Sequence, residues 1–430
     1  MTRIPRDVPG LNSIYPFLAN ARRCSSAALA EAKPSRLAIS ARVGGRPLSS
    51  MAKVMSPNIS SCRAVSFGRD GLSITVFMFI LGLYTVKNGI SRTFAWLDNA
   101  KMSNSSNSPF ILVIGTGGTI AGLTTDSGNG GYQAGQVPIS TLLAQIETKF
   151  SIKNIQLSNI DSCDMSESLL SKLGLQVRAG LADPKVMGIV ITHGTDTMEE
   201  TATFLELVCG GYSNNLGKKV VLTGSMLPSD HPEADGPQNL SAAIDFAGEG
   251  LGPGGVWAVM GSKPIPGLRL VKGHSSRVDA FLEETLPNGW TQVSNDLPIP
   301  PDNQWPWVEI ITSHSGARLD IIRLLRDRGV QGIVLAGTGA GTVHENLAPA
   351  LEQFMEAGGA VVRASRIGRG YVGGTLANGR LGMALGAGFL TPTKARIALQ
   401  LALFATVQPG AKTLSWRDYF ARIVGLSEVR

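Results

Sequence analysis

The chain has little of what metal sites, disulfide frameworks and nucleic-acid surfaces are built from. Its 430 residues hold four cysteines, five histidines, 6% aromatic and 17% charged residues. Cys24, Cys62, Cys163 and Cys209 are too few and too scattered for a disulfide scaffold, and no C-x-x-C pair suggests zinc. The histidines, at 193, 231, 274, 314 and 344, show no ligand spacing, so no metal site and no cofactor is expected. Positive charge is also lacking where it would matter. The formal net charge is +7, but residues 1–101 carry 14 Lys/Arg against 4 Asp/Glu, while the other 329 residues carry 25 against 28. The body therefore lacks the basic footprint of a protein that tracks phosphates, and no nucleic-acid partner is expected.

What is present is 43% hydrophobic residues and 51 glycines, ample for one or two globular domains. Residues 1–108 form an extension. Its first seventy residues are rich in Arg, Ser and Ala without an apolar period, as in a targeting segment or a disordered tail. Gly71 to Val86 is an uncharged run of sixteen, short of the ~20 residues that span a bilayer. Two expectations follow: a cytoplasmic protein if translation starts near Met102, or one exported or membrane-anchored through residues 71–86.

From Phe110 onward short continuous apolar runs (FILVI at 110, VMGIVIT at 186, KVVLTG at 219, VWAVMG at 256, VEIIT at 308, GIVLAG at 332, AVVRAS at 360) alternate with helix-period segments. Continuous hydrophobicity implies strands buried on both faces, hence an α/β fold of mainly parallel sheets covered by helices. The proline-rich stretch 288–307 interrupts the rotation and predicts a linker. The expected layout is a larger N-terminal domain at 109–287 and a smaller C-terminal one at 308–430.

In open α/β sheets ligands sit beyond the carboxyl ends of the strands. The first such exit reads Gly115-Thr116-Gly117-Gly118-Thr119-Ile120-Ala121-Gly122, where glycines put Thr116 on a tight turn, a position suited to a nucleophile. A dinucleotide fingerprint would need glycine at 120 and an acid within 134–142; neither is there. The second exit, Thr192-His193-Gly194-Thr195-Asp196-Thr197-Met198-Glu199-Glu200, delivers Thr195 and Asp196 to a helix start, with Thr197 and Glu200 spaced as a capping box. Two other segments carry less. Gly337-Thr338-Gly339-Ala340-Gly341 lacks the lysine of a phosphate loop, and Ser313-His314-Ser315-Gly316 lacks the G-x-S-x-G elbow.

Together with Gly267 to Lys272 and Ala234-Asp235-Gly236-Pro237, these exits make the sequence resemble the bacterial-type L-asparaginase/glutaminase family. Its two signatures stand here as Thr116 to Gly122 and His193 to Ala202. The resemblance covers residues 110–430. It implies amide hydrolysis in two steps through a threonine acyl-enzyme, with Thr116 attacking and Tyr132 aligning or deprotonating it from a mobile loop whose hinge is Thr124 to Gly131. It further implies that Lys272 polarises Thr195 and is held by Asp196. Substrate recognition would come from Ser162, Cys163, Asp164, Thr195 and Asp196, with Ser162 binding the α-carboxylate, Asp196 the α-ammonium, Asp164 at a position acidic in the family, and Cys163 standing where relatives that use an amide have Gln. A thiol is a poor hydrogen-bond partner, and Arg366 to Tyr371 contains no acid where a neighbouring subunit often supplies a glutamate; both departures bear on asparagine against glutamine. The resemblance implies a homotetramer, a dimer of dimers, acting on a small amide amino acid. The alternatives are an asparaginase-like glutamyl-tRNA amidotransferase subunit and a non-catalytic amino-acid-binding module.

Overall fold

The computed structural model describes residues 42–43, 46–47, 108–125, 131–250, 252–261, 263–286, 296–374, 381–382, 384–408 and 414–425. The chain divides into a unit of residues 1–102 and one of residues 103–430. In the first, Arg42–Val43 pairs antiparallel with Arg46–Pro47; the apolar run 71–86 lies outside the described residues. In the second, strands β1 (Phe110–Gly117), β2 (Ile152–Ile160), β3 (Val186–Thr192), β4 (Lys219–Thr223), β5 (Gly255–Met260) and β6 (Lys263–Pro266) form one sheet in the order β6-β5-β4-β3-β1-β2. All its pairs are parallel except β5 with β6. The order β2-β1-β3 makes the gap beyond the carboxyl ends of β1 and β3 the topological switch point, where the connections leaving the two strands pass to opposite faces of the sheet and a crevice opens.

All eight residues of β1 are buried, and the pleat sends alternate side chains to two cores. Leu112 and Ile114 pack with helices α2 (Glu167–Ala182) and α3 (Met198–Leu216), whereas Ile111 and Val113 pack with α1 (Ile139–Leu143) and α4 (Gly236–Gly248). Each such side chain contributes about 1.5 to 3 kcal/mol on burial. Outside the sheet β7 (Leu270–Lys272) and β8 (Phe281–Glu283) make a short antiparallel pair.

The second sheet, β9 (Val308–Thr312), β10 (Gly332–Gly337), β11 (Ala360–Ser365) and β12 (Leu385–Gly386), is parallel in sequential order. A sequential order has no switch point, so the glycine-rich turn after β10 opens onto no such crevice. One face carries α5 (Asp320–Asp327) and α6 (Ala348–Glu356). The other carries α7 (Pro392–Thr406), which shares the large core with α2 and α3; α8 (Trp416–Ile423) packs on α7.

Two local expectations change, and one strand has no sequence signal. The capping box at α3 does not form: Thr197 makes no side-chain cap bond, because its hydroxyl donates instead to the Ser162 carbonyl at 2.8 Å. Strand β2 carries no continuous apolar run, as befits a half-exposed edge strand. Of the stretch 288–307, residues 288–295 lie outside the described residues, and the rest is fastened to the larger domain. Asp296 accepts from the amides of Gly211 and Tyr212, Ser171 donates to the Pro300 carbonyl, and Trp305 donates to Ser171 and packs against Phe204.

Candidate active site

The crevice at the switch point is walled by the turns that follow β1, β2 and β3. Gly117 and Gly118 have φ of 106° and 83°, backbone that side chains rarely adopt. A Cβ on Gly117 would strike the Ile160 backbone, and one on Gly118 would strike the Gly194 backbone. The turn bearing the first threonine pair therefore lies backbone to backbone against the turn bearing Thr195. Ser162, buried at 2% exposure, fills the third wall; its Oγ accepts from the Asp196 amide at 3.3 Å.

Within this frame the two threonines of the first turn have different surroundings. Thr116 is the penultimate residue of β1, and its hydroxyl donates across the sheet to the Thr192 carbonyl at 2.8 Å. Thr119 starts the 3-10 turn Thr119–Ala121 after the glycine bend, and its hydroxyl lies 3.0 Å from the Tyr132 hydroxyl. The sequence expectation set Tyr132 over Thr116; the geometry gives Tyr132 to Thr119. The physical reason is the bend itself, since positive φ at two successive glycines turns the chain so that residues on either side of it face different directions.

Tyr132 is carried on a two-residue ladder, Leu123–Thr124 with Tyr132–Gln133. Asp230 anchors that ladder by accepting from the Thr124 amide at 3.0 Å and its hydroxyl at 2.6 Å, bonds that draw the Asp230 carboxyl below its usual range. Tyr132 remains 40% exposed. Residues 126–130 of the expected hinge lie outside the described residues.

On the opposite wall Lys272, at the end of β7, donates to Thr195 Oγ1 at 2.9 Å and to Asp196 Oδ1 at 2.5 Å. The Lys272 side chain is 14% exposed and that of Asp196 56%. The structure thus brings Thr195, Asp196 and Lys272 into one hydrogen-bonded chain, adjacent through Gly194 and Gly118 to Thr119. The Gly118 amide donates to the Ile160 carbonyl at 2.8 Å, so it is not a free oxyanion donor. Cys163 and Asp164 are exposed on the 3-10 turn Ser162–Asp164. Desolvation first, then the carboxylates of Asp161, Asp164 and Asp196, raise the Cys163 thiol pKa, which keeps it neutral and a weak partner. Among the described residues no group of three or more His, Cys, Asp or Glu is arranged to hold a metal ion. The segment Arg366 to Tyr371 meets an acid of its own chain, because Glu284 accepts from Arg369 Nε at 3.3 Å and from the Gly370 amide at 3.4 Å.

His193, between β3 and Thr195, is fully buried. Its Nδ1 is 2.7 Å from the Gly194 carbonyl and its Nε2 is 3.0 Å from Thr201 Oγ1. Burial pushes its pKa from 6.5 down to about 4, so the unfolded chain binds the proton that the folded chain refuses. The resulting stability is complete above about pH 6.5 and is lost as the pH falls toward 4, by about 3 kcal/mol in total. Urea unfolding at pH 7 and pH 4 should show this loss, and His193→Gln should lose less than the parent over the same interval. Equal losses in the two proteins would contradict the assignment.

Comparison with known proteins covers both sheets of the chain. Residues 110–296 match the family described as asparaginase, N-terminal, and residues 307–412 match the glutaminase/asparaginase C-terminal domain. A probable periplasmic L-asparaginase of Haemophilus influenzae is 34% identical over 74% of this chain and 95% of its own length. A glutaminase-asparaginase of Acinetobacter glutaminasificans is 33% identical over 69% of this chain and 95% of its own. The crystal structure of a probable cytoplasmic L-asparaginase from Campylobacter jejuni superposes with a TM-score of 0.60 at 32% identity, covering 73% of this chain and all of that one.

Proposed function

Since this chain belongs to the asparaginase family, we propose that it hydrolyses the side-chain amide of L-asparagine to L-aspartate and ammonia through a threonine acyl-enzyme, with Thr119 rather than Thr116 as the nucleophile. The observation that carries the choice is the 3.0 Å contact between the Thr119 and Tyr132 hydroxyls. A free threonine hydroxyl is protonated at neutral pH and attacks poorly, so it needs a neighbour that can take its proton. Among the described residues the Thr116 hydroxyl meets only a backbone carbonyl, which cannot accept a proton in the reaction.

In the first step Thr119 Oγ1 bonds to the amide carbon, its proton passes by way of Tyr132 to the amide nitrogen, and the C–N bond breaks to release ammonia. In the second step a water oxygen attacks the ester carbon, and the Thr119–carbon bond breaks to regenerate the hydroxyl and free aspartate. Lys272 directs hydrogen-bond donation onto Thr195 Oγ1, which leaves the Thr195 proton to be aimed at substrate or water. Ser162 Oγ already accepts from the Asp196 amide, so its own proton is disposed toward a carboxylate acceptor. Asp196 shares its charge with Lys272, and Cys163 and Asp164 flank the same opening. We further propose a homotetramer, a dimer of dimers, checked by the mass from light scattering.

Ammonia release by the purified chain tests the proposal: turnover of free L-asparagine is expected, and the same assay on L-glutamine measures the preference between the two amides. No release from either amide would overturn it. Activity only with a partner protein and charged tRNA would favour an amidotransferase subunit, and ligand binding without turnover would favour a binding module.

A further inference from the structure

Lys272 sits on β7, a three-residue strand outside the main sheet and paired, among the described residues, only with the three-residue β8. So short a ladder gives little rigidity of its own. Yet its Nζ must be held against Thr195, and misplacement of an aligned group by about 1 Å can cost roughly a hundredfold in rate. The Lys272 amide donates to Glu199 Oε2 at 3.2 Å. Glu199 lies on the first turn of α3, three residues after Asp196, so it ties the strand bearing the lysine to the helix that begins at the threonine and aspartate it contacts.

Glu199 is itself held from the other domain. Its Oε1 accepts from Thr391 Oγ1 at 3.0 Å and from Thr393 Oγ1 at 2.8 Å, both at the N-terminus of α7. A carboxylate there is also favoured by the fifteen-residue helix dipole. The same helical turn grips the β7 approach a second time, where the buried Lys394 ammonium donates to the Leu268 carbonyl at 3.0 Å.

We propose that Glu199 is a positioning residue for Lys272, and that Thr391 and Thr393 hold it in place, so that the first turn of α7 in the smaller domain sets the alignment of the Lys272–Thr195 contact. Glu199 touches no reacting atom; it acts through the backbone of Lys272. The inference rests on the role given above to Lys272.

Steady-state kinetics on L-asparagine, with active sites titrated, test it. Glu199→Ala should lower kcat by roughly ten- to a hundredfold while KM stays within about twofold. Glu199→Gln keeps an acceptor for the Lys272 amide and an NH₂ that the threonine hydroxyls can accept, so it should retain most of kcat. The double variant Thr391→Val, Thr393→Val keeps the carboxylate but frees it, with the added loss of the Thr391 cap on the Lys394 amide, and should show the same split at smaller amplitude; it also serves if Glu199→Ala does not fold. Unchanged kcat in Glu199→Ala and in the double variant would overturn the proposal. So would a rise in KM alone, or an equal loss in Glu199→Gln and Glu199→Ala. Crystal structures of Glu199→Ala and of the double variant decide independently of turnover. Lys272 Nζ should have left Thr195 Oγ1, and retention of that contact would overturn the proposal even if the parent released no ammonia and the reading of its function failed.

Discussion

Replacing Thr119 by alanine is expected to lower kcat for L-asparagine by roughly 10⁴ to 10⁶-fold, the scale of losing a nucleophile, with little loss of stability. Among the described residues the Thr119 hydroxyl meets only the half-exposed Tyr132, so its removal orphans no deeply buried group there. Thr116→Val should behave in the opposite way. Its hydroxyl adds a buried bond to a Thr192 carbonyl that already faces the strand ladder, and the net loss of one such bond costs about 0.5 to 1.5 kcal/mol, so the variant should unfold slightly earlier yet keep most of its turnover. Thr119→Ser, which keeps the oxygen but not the methyl group that restricts its rotamer, should recover part of the activity. The pair of measurements separates the two threonines by opposite effects on rate and stability, and a large loss of kcat in Thr116→Val with normal turnover in Thr119→Ala would reverse the assignment.

The second large effect is expected at Lys272. Lys272→Met keeps the length and apolar stem of a side chain that is 14% exposed and removes its donors to Thr195 and Asp196. An ion pair whose acid is 56% exposed contributes little, about 0 to 1 kcal/mol. A structural lysine would therefore be nearly silent, whereas a group that directs proton traffic at Thr195 should cost roughly 10² to 10⁴-fold in kcat. Lys272→Arg restores the charge but presents a planar fork in place of a compact ammonium, and should not restore the rate. Kinetics and thermal unfolding on the same samples check both, and a fall in stability without a fall in kcat would count against the role.

The architecture was largely legible in the sequence because β1, β3, β4 and β5 are buried on both faces, so their runs are continuous rather than alternating. Strand β2 was not, since Lys153, Asn154, Gln156 and Asn159 leave an edge strand without an apolar signature. At the site, the turns singled out at the strand exits are brought together, with Tyr132 against Thr119, Lys272 against Thr195 and Asp196, and Ser162 against the Asp196 amide. The choice between Thr116 and Thr119 was not legible. Two hydroxyls flank two glycines symmetrically in the sequence, and only the positive φ at Gly117 and Gly118 turns Thr116 to the neighbouring strand and Thr119 to the tyrosine. The one available signal was that a residue before such a bend still belongs to the ladder. Thr197 misled for a related reason: its spacing to Glu200 suits a capping box, but the Ser162 carbonyl offered its hydroxyl a better acceptor. Glu199 escaped notice because its partners Lys272, Thr391 and Thr393 are 73, 192 and 194 residues away.

In the acyl-enzyme the Thr119 oxygen is bonded to the substrate carbon, and rapid acid quenching of the protein during turnover of L-asparagine, followed by peptide mass spectrometry, locates that bond. An aspartyl ester on Thr119 is the predicted result. The same ester on Thr116, or turnover that persists in Thr119→Ala, would contradict it.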